Sequence, residues 1–377
     1  MNKMESIEKV RENFPIVKNK IFMNHAAHSP LPKPVFESML EYLKEASEQW
    51  VAETDLEMAK KLFAKLINAK PEEIAFVPNT STGLNIVANM LDYGEGSNIV
   101  TTDLEFPSVV YPWLRKKLGV KVKYVNNVDG KILHEDFENA VDDDTAAIVV
   151  SHVEYANGFR NDLSFLSELA HEHNAYLVVD AIQSAGAIKI DVKRDNVDFL
   201  ITACYKWLLG PSGIGFLYVK EELIEKFEPP MVGWASVEPQ VFETADFWDI
   251  WNLRLSKTAS RFEVGGPNVI GCIGAAAALK LILGHGIEKI ENRILSLTDY
   301  LIDRVREAGW KLQTPEEKSY RSGIVNFLID KPMERVEQLA KKGIIVSARA
   351  NGIRVSPHFY NTEEEIDQLV SELLKQQ

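Results

Sequence analysis

Lys206 stands inside the stretch Ile201-Thr-Ala-Cys-Tyr-Lys-Trp-Leu-Leu-Gly-Pro-Ser-Gly-Ile-Gly-Phe-Leu-Tyr-Val219. An apolar run from Val197 to Ile201 precedes it, and a glycine-rich turn leads into a second run, Gly215 to Val219. The pattern reads strand, loop, strand. A lone lysine held where a strand ends, beside glycines that permit unusual backbone shapes, can form an imine with an aldehyde; a plain surface lysine is the alternative. Upstream, Ala175-Tyr-Leu-Val-Val-Asp180 is a short β-branched run ending in a carboxylate, with Gln183 just beyond. If the two runs are neighbouring parallel strands, Asp180 and Lys206 emerge at the same carboxyl edge, where open α/β sheets bind ligands. A carboxylate there can keep a pyridine nitrogen protonated while the lysine holds the aldehyde.

Asp180-x-x-Gln183 followed by Lys206-x-x-x-Gly210-Pro-x-Gly213 resembles the class V aminotransferase family of fold-type-I pyridoxal-phosphate enzymes. That family also contains cysteine desulfurases, kynureninases and isopenicillin N epimerase-like enzymes. The resemblance runs from about residue 20 to the end of the chain. It implies an α/β fold with three parts. An N-terminal arm, residues 1–20, packs with the small domain; a large cofactor-binding domain, residues 21–284, has a mainly parallel seven-stranded sheet between helices; a smaller α+β domain covers residues 285–377. The implied cofactor is pyridoxal 5'-phosphate on Lys206, with Asp180 at its ring nitrogen and Gln183 at its phenolic oxygen.

The elements that must position these groups follow in order. Ile7 to Phe14 reads as a short helix stopped near Pro15. Residues 21–34 crowd small and polar residues between prolines and cannot continue as a helix. By resemblance His25, Ala26, Ala27 and His28 line the substrate side of the cofactor; a proline-stiffened turn is the simpler reading. Val35 to Trp50 and Leu56 to Ala69 carry apolar residues at helical spacing. After the strand Glu73 to Val77, Thr80, Ser81 and Thr82 sit at a helix start, where free N–H groups and the helix dipole suit an anion. Ordinary N-capping accounts for them equally well, but the resemblance makes Thr80 and Ser81 phosphate ligands. Phe106, after the strand Asn98 to Thr102, matches the family's ring stacked on the pyridine face. Tyr155 replaces an asparagine found near the phenolic oxygen, and Asn157 is a possible substitute.

Further strands are expected at Val120 to Val125 and Thr145 to Ser151, with helices at Ile132 to Ala140 and Asp162 to Asn174, the alternation a parallel sheet demands. Tyr205 matches a phosphate neighbour. Ala203 replaces a phosphate-binding serine, with Thr202 as a possible replacement. Met231 to Glu238 and Phe247 to Trp251 form an aromatic region that in relatives borders the substrate pocket and the subunit interface. Arg261-Phe-Glu-Val-Gly-Gly-Pro-Asn268 resembles a family motif whose threonine reaches the partner subunit's phosphate; Gly266 occupies that place, leaving only its N–H. Long helices at Asn268 to Gly284 and Ile287 to Ala308 lead to strands at Gly323 to Ile329, Ile344 to Ser347 and Ile353 to Ser356, with helices at Met333 to Lys342 and Glu363 to Lys375. Arg354 matches the arginine that clamps the substrate's α-carboxylate, a task suited to its planar fork; a surface salt bridge is the alternative.

The chain has 377 residues, 46% hydrophobic and 26% charged, with a net charge of −13. That balance argues against nucleic acid as partner. Residues 1–20 lack the apolar core of a signal peptide, and no apolar run is long enough for a membrane span. Cys204 and Cys272 are the only cysteines and fit neither a disulfide framework nor a metal site. A cytoplasmic homodimer acting on an amino acid as its small-molecule substrate is the expectation.

Transamination at the α-carbon of an L-amino acid is the favoured reaction, and a lyase or epimerase is the runner-up. Persulfide transfer is disfavoured, because the interval Arg349-Ala-Asn-Gly-Ile-Arg354 is short and has no cysteine, and because Phe106 cannot carry a proton as the desulfurase histidine does. A catalytically silent cofactor-binding homologue is the reading from a different class.

Overall fold

Runs of Val, Ile and Leu without polar interruption satisfy strands covered on both faces, and the computed structural model turns them into one central sheet. It describes residues 7–49, 55–238 and 251–375. After a short helix, Ile7–Arg11, the first strand is β1 (Ile21–Phe22), two residues long. The central sheet comprises β2 (Ile74–Val77), β3 (Asn98–Thr102), β4 (Lys121–Val125), β5 (Thr145–Ser151), β6 (Tyr176–Asp180), β7 (Phe199–Ala203) and β8 (Gly215–Val219), in the order β2-β8-β7-β6-β5-β3-β4. From β4 to β7 every pairing is parallel, while β8 runs antiparallel to both β7 and β2. The reversal has a simple cause. The loop between β7 and β8, which carries Lys206, is too short for the crossover of about a dozen residues that a parallel return requires.

Side chains alternate across each strand, so the sheet separates two cores. Val178, Phe199, Ile201 and Leu217 face one, packed with the helix Thr80–Met90. Leu177, Val179, Leu200 and Phe216 face the other, packed with the helices Glu57–Ile67 and Val269–His285.

The C-terminal part has its own core around Leu297, Leu301, Phe327 and Ile353. Its strands are β9 (Val325–Leu328), β10 (Ile344–Ile345), β11 (Ser347–Arg349) and β12 (Gly352–Val355), and β11-β12-β9 form an antiparallel sheet. The expected strand Ile344 to Ser347 is divided. Its first half, β10, leaves that sheet and pairs in parallel with β1, Ile21 opposite Ile344. β1, the first segment of the expected large domain, thus pairs with the C-terminal part. The preceding arm is tied there as well: Phe14 stacks on Tyr360 at 3.8 Å, and Arg11 pairs with Glu365 at 2.7 Å. No single helix among the described residues is long and apolar enough to cross a membrane.

Candidate active site

β6 and β7 end side by side, with Asp180 in register with Ile201. Lys206 follows β7 in a loop that closes on itself, the Gly210 N–H donating to the Cys204 carbonyl at 2.8 Å and the Leu209 N–H to that of Lys206 at 3.0 Å. The left-handed positions of this loop fall on Leu209 (φ 58°) and Gly213 (φ 82°), not on Gly210. A left-handed leucine costs of order 1–2 kcal/mol, and such strain persists where surroundings hold it. Gly186 (φ 95°) lets the neighbouring turn approach, since a Cβ there would lie 2.4 Å from the Trp207 carbonyl oxygen.

Burial pulls the Lys206 amine down to about 8, against the Asp180 charge, with Arg354 and Arg349 pushing the same way as burial. Asp180 rises to about 6 through burial, opposed by the Ile182 N–H and by Lys206. One of its oxygens, Oδ1, accepts the Ile182 N–H at 2.8 Å; the other is left for a further donor. An ionised carboxylate and a reactive amine thus share one cleft. Thr80, Ser81, Phe106, Gln183 and Tyr205 line it with them.

Asn79 caps the helix Thr80–Met90, accepting the Thr82 N–H at 2.9 Å. This helix sits tight on the sheet because Gly83 lacks a side chain; an added Cβ would lie 2.5 Å from Ile201 Cγ2. The Thr80 hydroxyl is buried without a partner, and Ser81 donates to Ser108 at 2.8 Å. The Phe106 ring is 46% exposed, lies 6.0 Å from Lys206 Nζ and meets Tyr155 edge-on at 5.2 Å. Tyr205 is 5.9 Å from the same nitrogen. Gln183 is held at both ends: its Nε2 donates to the Ala26 carbonyl at 3.0 Å, and its Oε1 accepts from Trp207 Nε1 at 2.9 Å. One Nε2 hydrogen remains.

Arg354 is 2% exposed. Its guanidinium donates to Ser347 Oγ at 3.2 Å and to the Tyr155 carbonyl at 2.8 Å, and it makes no ion pair among the described residues. Burial, then Arg349, lowers its pKa to about 10. A buried cation without a counterion is costly unless an anion arrives.

Several expectations need correction. His25 does not line the cleft. It is wholly buried, Nδ1 against the Ser356 carbonyl at 2.9 Å and Nε2 against the Tyr360 hydroxyl at 2.8 Å. With burial pressing its pKa well down, followed by the effect of His358, it is an internal strut. Ala27 and His28 also lie outside the cleft lining, although the His28 ring approaches Tyr205 at 5.4 Å. Thr202 cannot replace the serine absent at Ala203. It pairs with Phe216 in register, and that ring belongs to the opposite core. Asn157 is used up elsewhere, donating to the Gly130 carbonyl at 2.7 Å and accepting the Phe159 N–H at 3.0 Å. Gly266, expected to serve the partner subunit's phosphate rather than this cleft, lines a separate crevice with Thr82 and Asn268. Of the aromatic region, residues 239–250 lie outside the described residues.

Sequence reasoning passed over a carboxyl cluster behind the cleft. Glu105 accepts both the N–H and the hydroxyl of Ser151, at 2.5 and 2.6 Å. Burial raises it to about 8. Glu154, wholly buried where Glu105 is only partly so, is pushed well up by burial and by Glu105; one of its oxygens has no partner. The signal available for Glu105 was its place next to Phe106 at a strand end.

These groups fit pyridoxal phosphate. The free Thr80 hydroxyl at a helix start suits a phosphate, the open Asp180 oxygen suits a ring N–H, and Lys206 is a desolvated amine. Comparison with known proteins agrees. The family model for class-V aminotransferases matches residues 21–369. An uncharacterized aminotransferase of Bacillus subtilis, YcbU, is 32% identical over 370 residues, 97% of each chain. A probable cysteine desulfurase of Pyrococcus abyssi is 32% identical over 389 residues, 96% of this chain and 95% of that one. An apo cysteine desulfurase from Thermococcus onnurineus superposes with a TM-score of 0.90 at 31% identity, over the full length of both chains. The chain belongs to the class-V aminotransferase family and is a pyridoxal-phosphate-dependent enzyme.

Proposed function

We propose that this enzyme is an aminotransferase acting at the α-carbon of an L-amino acid. The observation that carries this reading over desulfuration is the absence of a usable thiol. Cys204 and Cys272 are the only cysteines in the chain; both are buried, and burial raises both thiols. Between Arg349 and Arg354, where a loop cysteine would be needed, Ala350 and Asn351 form a two-residue turn at positive φ.

Bound pyridoxal phosphate supplies an aldehyde that condenses with amines and a ring that draws electrons from the α-carbon. The chain's own groups do the rest. Thr80 and Ser81 bind the phosphate, with Tyr205 beside it. Asp180 stays ionised at neutral pH and accepts the ring N–H, so the proton remains on that nitrogen. Gln183, fixed by Ala26 and Trp207, turns its remaining hydrogen toward the phenolic oxygen. Phe106 covers the ring face and excludes water. Arg354 binds the α-carboxylate and so orients the bond to be broken, while Lys206 Nζ takes up and returns the α-proton. The working unit is a homodimer in which the Gly266 N–H serves the partner's phosphate. The exposed Trp234 and Trp251 support a further surface there, being 59% and 86% accessible.

The test is a visible spectrum of the holoenzyme with a panel of L-amino acids and no keto acid. Conversion to a pyridoxamine-like spectrum, reversed by a keto acid, supports transamination. Release of pyruvate, ammonia or sulfide with an unchanged spectrum refutes it in favour of a lyase.

A further inference from the structure

The small antiparallel sheet abuts the Lys206 cleft, since Arg354 donates to the carbonyl of Tyr155, which lines that cleft, and Asn326 to the carbonyl of Ala156; two cations stand on one of its faces. Cross-strand partners share a face. Ser347 opposes Arg354, and Arg349 opposes Gly352, so Arg349 and Arg354 lie on the same side as diagonal neighbours, about 7–8 Å apart and within reach of long side chains. The turn between them is the shortest a hairpin allows, Ala350 (φ 48°) and Asn351 (φ 60°). Arg349 is also fixed by its backbone. Asn326 Nδ2 donates to its carbonyl at 3.1 Å, and Gln313 Nε2 donates to the Ala350 carbonyl at 2.9 Å.

The guanidinium itself is largely unengaged. It makes one hydrogen bond, to the adjacent Ala348 carbonyl at 2.7 Å, and no ion pair among the described residues. Its charge is nonetheless felt in the site, depressing both Lys206 and Arg354. Asp180 is the carboxylate that answers Lys206, and Glu105 is held toward its neutral form. Two arginines therefore share the sheet face from which Arg354 reaches the cleft-lining Tyr155, Arg349 exposed at its rim, without a carboxylate of their own. Like charges placed diagonally on one face repel, an arrangement that an incoming pair of anionic groups relieves.

We infer that Arg349 is a specificity-determining residue, forming with Arg354 a two-cation wall that selects amino acids whose side chain carries a second carboxylate. Arg354 takes the α-carboxylate and Arg349 the distal acid. The inference rests on the reading of Arg354 as the α-carboxylate site and names the substrate class for it.

The experiment uses the holoenzyme and two ligands that lack an α-hydrogen, L-2-methylaspartate and 2-aminoisobutyrate, with binding read by calorimetry. Wild type is expected to bind the diacid about 10- to 100-fold more tightly, the range of a charged hydrogen-bonded pair. R349A and R349Q lose that preference, R349K keeps part of it, and 2-aminoisobutyrate binding moves by no more than about twofold in any of them. Equal affinities in the wild type overturn the inference, as does equal weakening of both ligands by R349A and R349Q. Neither ligand has an α-proton to lose, so neither can enter transamination or elimination by deprotonation, and this readout stands apart from that reaction. Failure to form a keto acid from any amino acid would sink the aminotransferase reading while leaving the selectivity measurable.

Discussion

Replacing Arg354 by glutamine separates what this residue costs the fold from what it does for binding. The guanidinium is buried, has no carboxylate partner, and its pKa is lowered to about 10. A displacement of that size from the free side chain corresponds to about 3 kcal/mol against the charged form. Folding thus favours the uncharged state. The penalty is present in full below pH 10 and fades only as pH rises through that value, so it acts at every pH of interest. Arg354→Gln removes the charge and keeps an amide able to donate to the Tyr155 carbonyl. The ligand-free protein should gain about 1–3 kcal/mol, seen as a rise in Tm of roughly 2–6 °C. Binding should move the other way. Losing a forked, charge-assisted contact with a carboxylate costs about 2–4 kcal/mol, a weakening of roughly 30- to 1000-fold. Calorimetric melting of the apoenzyme, with spectral titration of the holoenzyme by amino acids, measures both. A lower Tm would mean that the charge is already compensated in the fold, and an unchanged half-saturation would remove Arg354 from the substrate site.

Asp180→Asn keeps an oxygen for the Ile182 N–H but removes the negative charge, and turnover should fall about 10²- to 10³-fold. The same variant should titrate Lys206 below its present value of about 8, because Asp180 is the charge holding that amine up; an unshifted Lys206 would contradict the pairing. In the wild-type apoenzyme the neutral amine is the reactive form, so the rate of pyridoxal phosphate uptake should climb about tenfold per pH unit up to roughly pH 8 and then level off. A flat profile would place the reactive amine elsewhere. Glu105 and Glu154 are both raised, so folding favours their neutral forms. Their contribution is whole at acid pH and is lost as pH rises from the ordinary carboxyl range through about 8 for Glu105. Glu154→Gln should make the fall in Tm between pH 6 and pH 9 shallower, and parallel curves for variant and wild type would show that the pair is not sharing a proton.

Asp180, Gln183 and Lys206 were legible in the sequence because each sits at a fixed offset from a strand end, and parallel strands bring their ends to one edge. The boundaries of β3 and β5 also met the expectation, β5 through its apolar run Ala146 to Val150 and β3 through its β-branched Ile-Val-Thr-Thr. Thr202 was misjudged by one residue, and in a strand one residue is the whole difference between faces. His25 could not be placed from its neighbours, because the groups that occupy its ring, Ser356 and Tyr360, lie at the other end of the chain. Glu105 and Glu154 escaped for the same reason: two acids about 50 residues apart become one cluster only when β3 and β5 lie side by side. The split of residues 344–349 between two sheets depended on β1, a partner too short to carry a periodic signal.

That pairing of β1 with β10, Ile21 beside Ile344, has a bearing on how the protein is made. During synthesis the first strand emerges with nothing to pair with, because its partner lies far downstream in the sequence. The same holds for the His25 ring and for Phe14 against Tyr360. The carbonyl of Ala26, which fixes Gln183, hangs on this late closure. The central sheet can assemble earlier from its own strands, as large domains do when they fold in order of emergence, whereas contacts spanning the whole chain form slowly. A chain lacking β10 would carry the lysine and its carboxylate but not the finished cleft.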